Sequence, residues 1–484
     1  MASDKPGSPP GSNELFSTDV PGPNSPISDT MVELVAYIAS NIADASDTAS
    51  LDLRKLKYLE TKLGVEAYLS QLFQRQGDGQ QLPQPRKLDE DEEAEFDEDE
   101  YEEFEFEEDE YEESEEVLDE SPAPINDPEG NRAFAYAVIK ALRSRIKSRG
   151  TKFGDRQNER ILELLEEASP AKDNEALFLS GLEASDMLST GSFQESPIFT
   201  EGQQPLPLQS VEQFLGEFYD DETKVFVQDP SVKLSEADHL TREVAIGQVK
   251  KRLLEGKSKG RPWNCLELAT HVEDGLRPKF LSGEDSRLLT KLKHEQAGEY
   301  AGRRSFPPGY KEVEKWALLA EAGALTEPHQ DSHGFSTYIT VNEGYVGFGW
   351  LCMPSDEERK AWVKEPSDIP SHRYRYVVLK PGQTVYTPAG LVHFVFRLPD
   401  GGHTLAFGGH VLRCSTIVQW VKAMLEEKAN PSITNEDLTS AAPGYLDRVE
   451  VFVKQAQKNG TEEKWGGAEA IKEFLRLKAE FLAG

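Results

Sequence analysis

The chain has 484 residues, more than one domain requires, and a formal net charge of −34. Of its 87 acidic residues, 23 lie between Asp89 and Glu120 with no Lys or Arg among them, which leaves a net charge of −11 elsewhere, an ordinary solubilising value. This balance excludes a whole-chain DNA-binding mode, because a phosphate backbone selects basic surface, so nucleic acid is not expected as a direct ligand. There is no run of about 18 apolar residues and no charged start leading into an apolar core, so neither a membrane span nor a secretory leader is expected. Cys265, Cys352 and Cys414 are far apart and odd in number. They argue against a disulfide framework and for a reducing, intracellular compartment, nuclear or cytoplasmic.

Residues 1–28 are rich in Pro, Gly and Ser and read as disordered. Residues 29–82 contain "MVELVAYIASNIA" and "LDLRKLKYLETKLGVEAYLSQLFQ", whose apolar spacing predicts a helical hairpin. Residues 83–125 form an acidic segment in which like charges repel and little apolar area is available to offset chain entropy. It reads as a disordered solvated spacer or, with Phe96, Tyr101, Phe104, Phe106 and Tyr111 adding grip, as a docking segment for a basic protein partner. Residues 126–168 return to helix. "AFAYAVIKALRSRIKSR" has an apolar stripe and a cationic back face of Lys140, Arg143, Arg145, Lys147 and Arg149, for which the acidic run just upstream is the simplest partner and a nucleic-acid site or nuclear-import signal the weaker alternative. Residues 169–206, with "SPAKDN", "STGSF" and "EGQQPLPL", read as a linker.

From residue 207 the composition is globular. "SVEQFLGEFY" and "LTREVAIGQVKKRLLEG" read as helices. Beyond Trp316 the pattern shifts to strands: "FSTYITVNE", "GFGWLCM", "RYVVLK", "TVYTPAG", "LVHFVFRL" and "TLAFGGHVL", short, β-branched and aromatic, and punctuated by Gly and Pro. Such a series suggests a sandwich or barrel, of which the jelly roll is a common type. Residues 415–484 return to helix.

The stretch "TEPHQDSH" carries the chemistry. On a strand, positions i and i+2 face the same way, so His329 and Asp331 would present an imidazole and a carboxylate to one point. His393, in "TPAGLVHFVFRL", would supply a third donor. Two His and one Asp on one side of a metal leave the opposite positions open, as in the facial triad of non-haem Fe(II) oxygenases. An H-x-D step alone is weak evidence, since His and Asp near a turn are commonly surface residues. His333, His372 and His403 read as turn or loop residues, and Trp263 and Trp350 as core.

"RPWNCLEL", "EKWALLAEAGALTEPHQDSHGFSTYITVNEGYVGFGWL", "RYVVLKPGQTVYTPAGLVHFVFRL" and "TLAFGGHVLRCSTIVQWV" together resemble the JmjC domains, over about residues 207–425 and closest to a fungal group. The resemblance implies an α+β protein: a double-stranded β-helix of the cupin or jelly-roll kind at 207–414, flanked by helices that include 415–484, with a helical N-terminal region and a disordered acidic segment. It implies Fe(II) and 2-oxoglutarate as cofactors and His329, Asp331 and His393 as catalytic metal ligands. It also places Thr326 where the family holds the distal carboxylate of 2-oxoglutarate.

The chain departs from the pattern where the family commonly has a Lys and a polar residue for that same carboxylate. Those positions hold Val346 and Ile339. A dicarboxylate buried without a cation is costly. Arg397, four residues after His393, shares its strand phase and is a substitute cation; alternatively it sits at the barrel mouth paired with Asp or Glu. His410 is either a neighbour of the metal site or simply core. The expected function is an Fe(II)- and 2-oxoglutarate-dependent oxygenase, a hydroxylase or demethylase. The rival is a non-catalytic JmjC metal-binding or interaction module with an acidic docking segment.

Overall fold

A computed structural model describes residues 121–149, 155–230, 241–256, 260–270, 275–294, 313–366, 371–434 and 441–483. The expected disordered stretch 1–28, the 29–82 hairpin and all but the last five residues of the acidic segment lie outside the described residues. The strands are β1 (Ser169–Pro170), β2 (Leu177–Phe178), β3 (Ile198–Glu201), β4 (Lys224–Gln228), β5 (Thr241–Ala245), β6 (Asn264–Leu268), β7 (Trp316–Ala320), β8 (Leu325–His329), β9 (Ser336–Glu343), β10 (Val346–Leu351), β11 (Tyr374–Leu379), β12 (Gln383–Thr387), β13 (His393–Phe396) and β14 (Thr404–Val411). The helices are α1 (Pro128–Arg149), α2 (Asp155–Glu167), α3 (Gly181–Ser189), α4 (Val211–Gly216), α5 (Ile246–Leu253), α6 (Leu288–His294), α7 (Asp356–Lys364), α8 (Ile417–Ala429), α9 (Ala442–Asn459) and α10 (Ala468–Ala483).

Two largely antiparallel sheets form the centre. One runs β1-β11-β10-β13-β8 and the other β2-β3-β12-β9-β14-β7-β6-β4-β5. Strand alternation explains why they face each other. Val346, Phe348 and Trp350 of β10 and Val395 of β13 meet Ile339 and Val341 of β9, Ala406 of β14 and Trp316 of β7 in one buried cluster. The opposite phase packs outward: Phe394 and Phe396 of β13 lie with Tyr374 and Tyr376 of β11 beneath Val138 and Leu142 of α1 and Ile161 of α2. Leu405 and Phe407 of β14 pack with Phe214 and Leu215 of α4 on the outside of the larger sheet. Helices α8, α9 and α10 close on Trp420, Tyr445, Leu446 and Phe474. This mixed arrangement of large antiparallel sheets and helices is compatible with a jelly-roll β-sandwich.

Several expectations change. Residues 169–206 are not a free linker: β1 pairs with β11, β3 with β12 and β2 with β3, and α3 carries a complete capping box between Ser180 and Glu183. The Pro and Gly there separate short elements that gain their stability from the sheets they join. In "LTREVAIGQVKKRLLEG" only Ile246–Leu253 is helical; Thr241–Ala245 is a strand because β4 offers it a complete antiparallel ladder. Part of the α1 cationic face is used inside the fold, where Arg143 pairs with Glu166 of α2 and Arg145 donates to Gly323 O.

Candidate metal centre

His329, Asp331 and His393 converge. Their donor atoms all lie within 4.8 Å of one another, a span that one ion can bridge. Strand pairing brings the two histidines together: His329 ends β8, His393 begins β13, and the two are direct antiparallel partners with ring centroids 4.3 Å apart. Asp331 lies just past the strand. Gln330 leaves β8 for an isolated bridge to Thr434, and Asp331 opens a tight turn over Ser332–Gly334. Its Oδ1 is 4.0 Å from His329 Nε2 and 3.7 Å from His393 Nε2.

Both imidazoles are held in the same way. His329 Nδ1–H donates to Glu327 O at 2.9 Å and His393 Nδ1–H donates to Leu391 O at 3.1 Å. A carbonyl can only accept, so each Nδ1 carries a proton and Nε2 is the nitrogen left to face a metal. Burial, reinforced by His393, pushes His329 down to about 4, so it is neutral at pH 7. Burial pushes Asp331 the other way, but His393, His410, His329 and the Thr337 hydroxyl outweigh it and hold the carboxyl below its ordinary value. Thr337 donates to Asp331 Oδ2 at 2.5 Å. With that proton committed, the Thr337 oxygen accepts from His410 Nδ1, 2.9 Å away. Two imidazoles and one carboxylate, at these separations, are compatible with iron binding.

The same pocket is lined by Asn264, Thr326, Ile339, Val346, Arg397 and His410. His393, Val395 and Arg397 share the inward phase, and the guanidinium is buried, 4% exposed. Arg397 Nε donates to Thr404 Oγ1 at 2.7 Å, Nη1 has no protein partner, and no carboxylate among the described residues lies within ion-pair distance. The alternative of an Asp or Glu partner is not met among the described residues. Burial pushes Arg397 down to about 10, which leaves it charged at neutral pH. Arg397 also borders an apolar cavity with Phe134, Tyr345 and Leu398, which offers no carboxylate. Thr326, on β8, is buried beside Val395 and accepts from Asn264 Nδ2 at 3.1 Å. Val346 and Ile339 present apolar walls. His410 is linked to the metal cluster by hydrogen bonds through Thr337.

No protein-family model matches the chain. It is 32% identical over 112 residues to lysine-specific demethylase 2B of Mus musculus, a stretch covering 21% of this chain and 8% of that protein. It is 30% identical over 117 residues to lysine-specific demethylase 2A of Xenopus tropicalis, covering 22% and 10%. It is 25% identical over 168 residues to JmjC domain-containing histone demethylation protein 1 of Caenorhabditis elegans, covering 32% and 14%. The matches span about a tenth of the length of these relatives. They support the JmjC superfamily. The His–Asp–His cluster is compatible with iron binding, and Val346 lines the pocket beside it.

Sequence reading missed several pocket residues, Asn264 and Thr337 among them. Asn264 opens the strand "NCLEL" as a polar residue in the inward phase with Leu266, and its Oδ1 is buried without a partner among the described residues. Thr337 lies in "FSTYITVNE" two residues before Ile339, on the inward face. In both cases a polar side chain in the inward strand phase was the available signal. Among the described residues no helix is long and apolar enough to cross a membrane.

Proposed function

We propose that the protein is an Fe(II)- and 2-oxoglutarate-dependent oxygenase on a JmjC double-stranded β-helix, acting by hydroxylation or by demethylation through hydroxylation. The observation that carries this is the convergence of His329, Asp331 and His393 in one pocket with a buried guanidinium that meets no carboxylate among the described residues. When bound, iron and 2-oxoglutarate supply oxidation of a substrate C–H bond by O₂, with the 2-oxoglutarate ending as succinate and CO₂. The chain's own part is positional. His329, Asp331 and His393 would hold the ion on one face and leave the other open. Arg397 and Thr326 would seat the distal carboxylate, with the guanidinium replacing the usual strand Lys. An uncompensated buried cation is unfavourable, and a bound carboxylate would relieve it.

The acidic segment 83–125 would dock a basic protein partner, which makes a basic protein the first substrate class to test. Histone lysine demethylation is the activity named for the relatives and stands as one candidate within that class. The three free, buried cysteines suit the nuclear or cytoplasmic setting expected from the sequence.

A second reading, a non-catalytic JmjC metal-binding or interaction module, is favoured by Val346 and Ile339, which remove the usual carboxylate anchors. The two readings separate in one experiment: anaerobic Fe(II) titration with and without 2-oxoglutarate, then O₂. Cosubstrate binding followed by succinate release supports the oxygenase. Fe(II) binding with neither cosubstrate binding nor succinate supports the module. Failure to bind any divalent metal removes the oxygenase and leaves only the interaction form of the module.

A further inference from the structure

Of the three candidate ligands, His329 and His393 belong to strands, whereas Asp331 stands on a turn outside the sheets. Its placement therefore needs a support that strand pairing does not provide. The turn is also conformationally demanding: His333 has φ 59° and Gly334 φ 62°, two successive left-handed residues, the first of them not glycine.

Helix α8, which lies outside the sandwich, grips that turn. Glu427 is fully buried and receives the Ser332 hydroxyl at 2.9 Å on Oε1 and the His333 backbone N–H at 2.8 Å on Oε2. Trp420 Nε1 donates to His333 O at 2.8 Å. Gln330 Nε2 donates to Ala423 O at 3.1 Å, and Gln330 N to Ile433 O at 2.9 Å. A Cβ at residue 334 would stand 2.7 Å from Trp420 O, so only glycine allows the helix this close. The residues on either side of Asp331 are thus held by one helix, and Glu427 takes the two bonds that immediately follow the carboxylate.

We propose that Glu427 is a positioning residue for the metal centre, and that α8 sets metal affinity by fixing the turn that presents Asp331. This rests on the reading that His329, Asp331 and His393 bind a divalent ion. The carboxylate never approaches the ion; it acts through the Ser332 hydroxyl and the His333 amide. A helix outside the β-sandwich is then part of the site, and removing it would leave the two histidines in place but release the third ligand.

The test uses Co(II), whose visible absorption reports coordination, titrated into the full-length chain. Glu427→Gln should raise the Co(II) dissociation constant about 10- to 100-fold and alter the cobalt spectrum, the range typical for loss of a group that orients a ligand. Glu321→Gln is the matched control. Glu321 is an equally buried carboxylate, bound to Arg252 and to the Trp263 amide and absent from the metal pocket. It should lower the melting temperature without changing Co(II) affinity or spectrum. Should Glu427→Gln not fold, Ser332→Ala and Trp420→Phe each remove one bond to the turn and should weaken Co(II) binding several-fold. Affinity within twofold of the native chain in the folding variants, or an equal loss in Glu321→Gln, would overturn the proposal. If the native chain binds no Co(II), the metal reading itself falls; if it binds and the variants bind equally, only the positioning role falls.

Discussion

Arg397 is a cation inside the sandwich with one hydroxyl partner and one unsatisfied nitrogen. In the apo protein it is a liability, because an unpaired buried charge loses its hydration without compensation. Arg397→Met should therefore leave the melting temperature of the apo protein unchanged or higher. The same substitution should abolish the further stabilisation seen when 2-oxoglutarate is added to the Co(II)-loaded protein, since breaking a buried charge pair costs roughly 3–5 kcal/mol. Co(II) titration should show metal affinity intact; an unchanged 2-oxoglutarate shift would remove Arg397 from the cosubstrate site. Thr337 acts on the other side of the cluster. Thr337→Val keeps the shape but takes the hydrogen bond from Asp331 Oδ2, so the Asp331 carboxyl should titrate at higher pH. Metal binding requires the ionised form, which is lost as pH falls. Co(II) titrations across pH should show the acid limb of binding displaced upward and affinity at neutral pH lowered about tenfold.

Strand phase does the work at the next scale. In β10, alternate residues Val346, Phe348 and Trp350 fill the interior, and the intervening Gly347 and Gly349 let β13 lay its outward rings across the strand. A Cβ at Gly347 would fall 2.3 Å from Phe396 Cζ, and one at Gly349 would fall 2.0 Å from Phe394 Cε1. Neither glycine has a positive φ, so close approach rather than backbone freedom selects it. Gly349→Ala should destabilise by about 1–3 kcal/mol through overpacking, measured by chemical denaturation, and Phe394→Leu should recover part of the loss by opening the space. Because β13 also carries His393, a shift of this strand should weaken Co(II) binding in the same variant.

Across the whole molecule, the described cysteines are sealed. Burial, with Glu321 adding to it, pushes the Cys265 thiol up to about 12; burial with Asp285 does the same for Cys414, and burial with Glu175 raises Cys352. A thiol-disulfide reagent at pH 8 should label none of the three in the native chain and all three in denaturant, because the thiolate is the reactive form. Rapid labelling of any one would place it at the surface. The acidic run is expected to contribute charge rather than packing. Deleting Asp89–Glu120 should leave the melting temperature unchanged while weakening capture of a basic protein partner in a salt-dependent way.

The sequence by itself named the candidate donors and the strand phase of His393 and Arg397, local facts of spacing and period. The i, i+2 strand argument does not carry Asp331, which leaves the strand for a turn and meets the histidines only through the tertiary fold. It also marked Val346 and Ile339 as apolar, at positions where the resemblance to JmjC domains implies polar anchors. The helices α8, α9 and α10 were readable from 3.6-residue periodicity. What it could not determine was which distant segments meet. The strand Thr241–Ala245 exists because β4 pairs with it, and the short strands of 169–206 exist because β11 and β12 extend to receive them. The isolation of Arg397 from every described carboxylate, the path from His410 through Thr337 to Asp331, and the grip of Glu427 on the metal turn join residues 73 to 95 positions apart or depend on what is absent nearby. Local periodicity carries no information about such pairings, because they are fixed only when the sheets close on each other and the helices cover them.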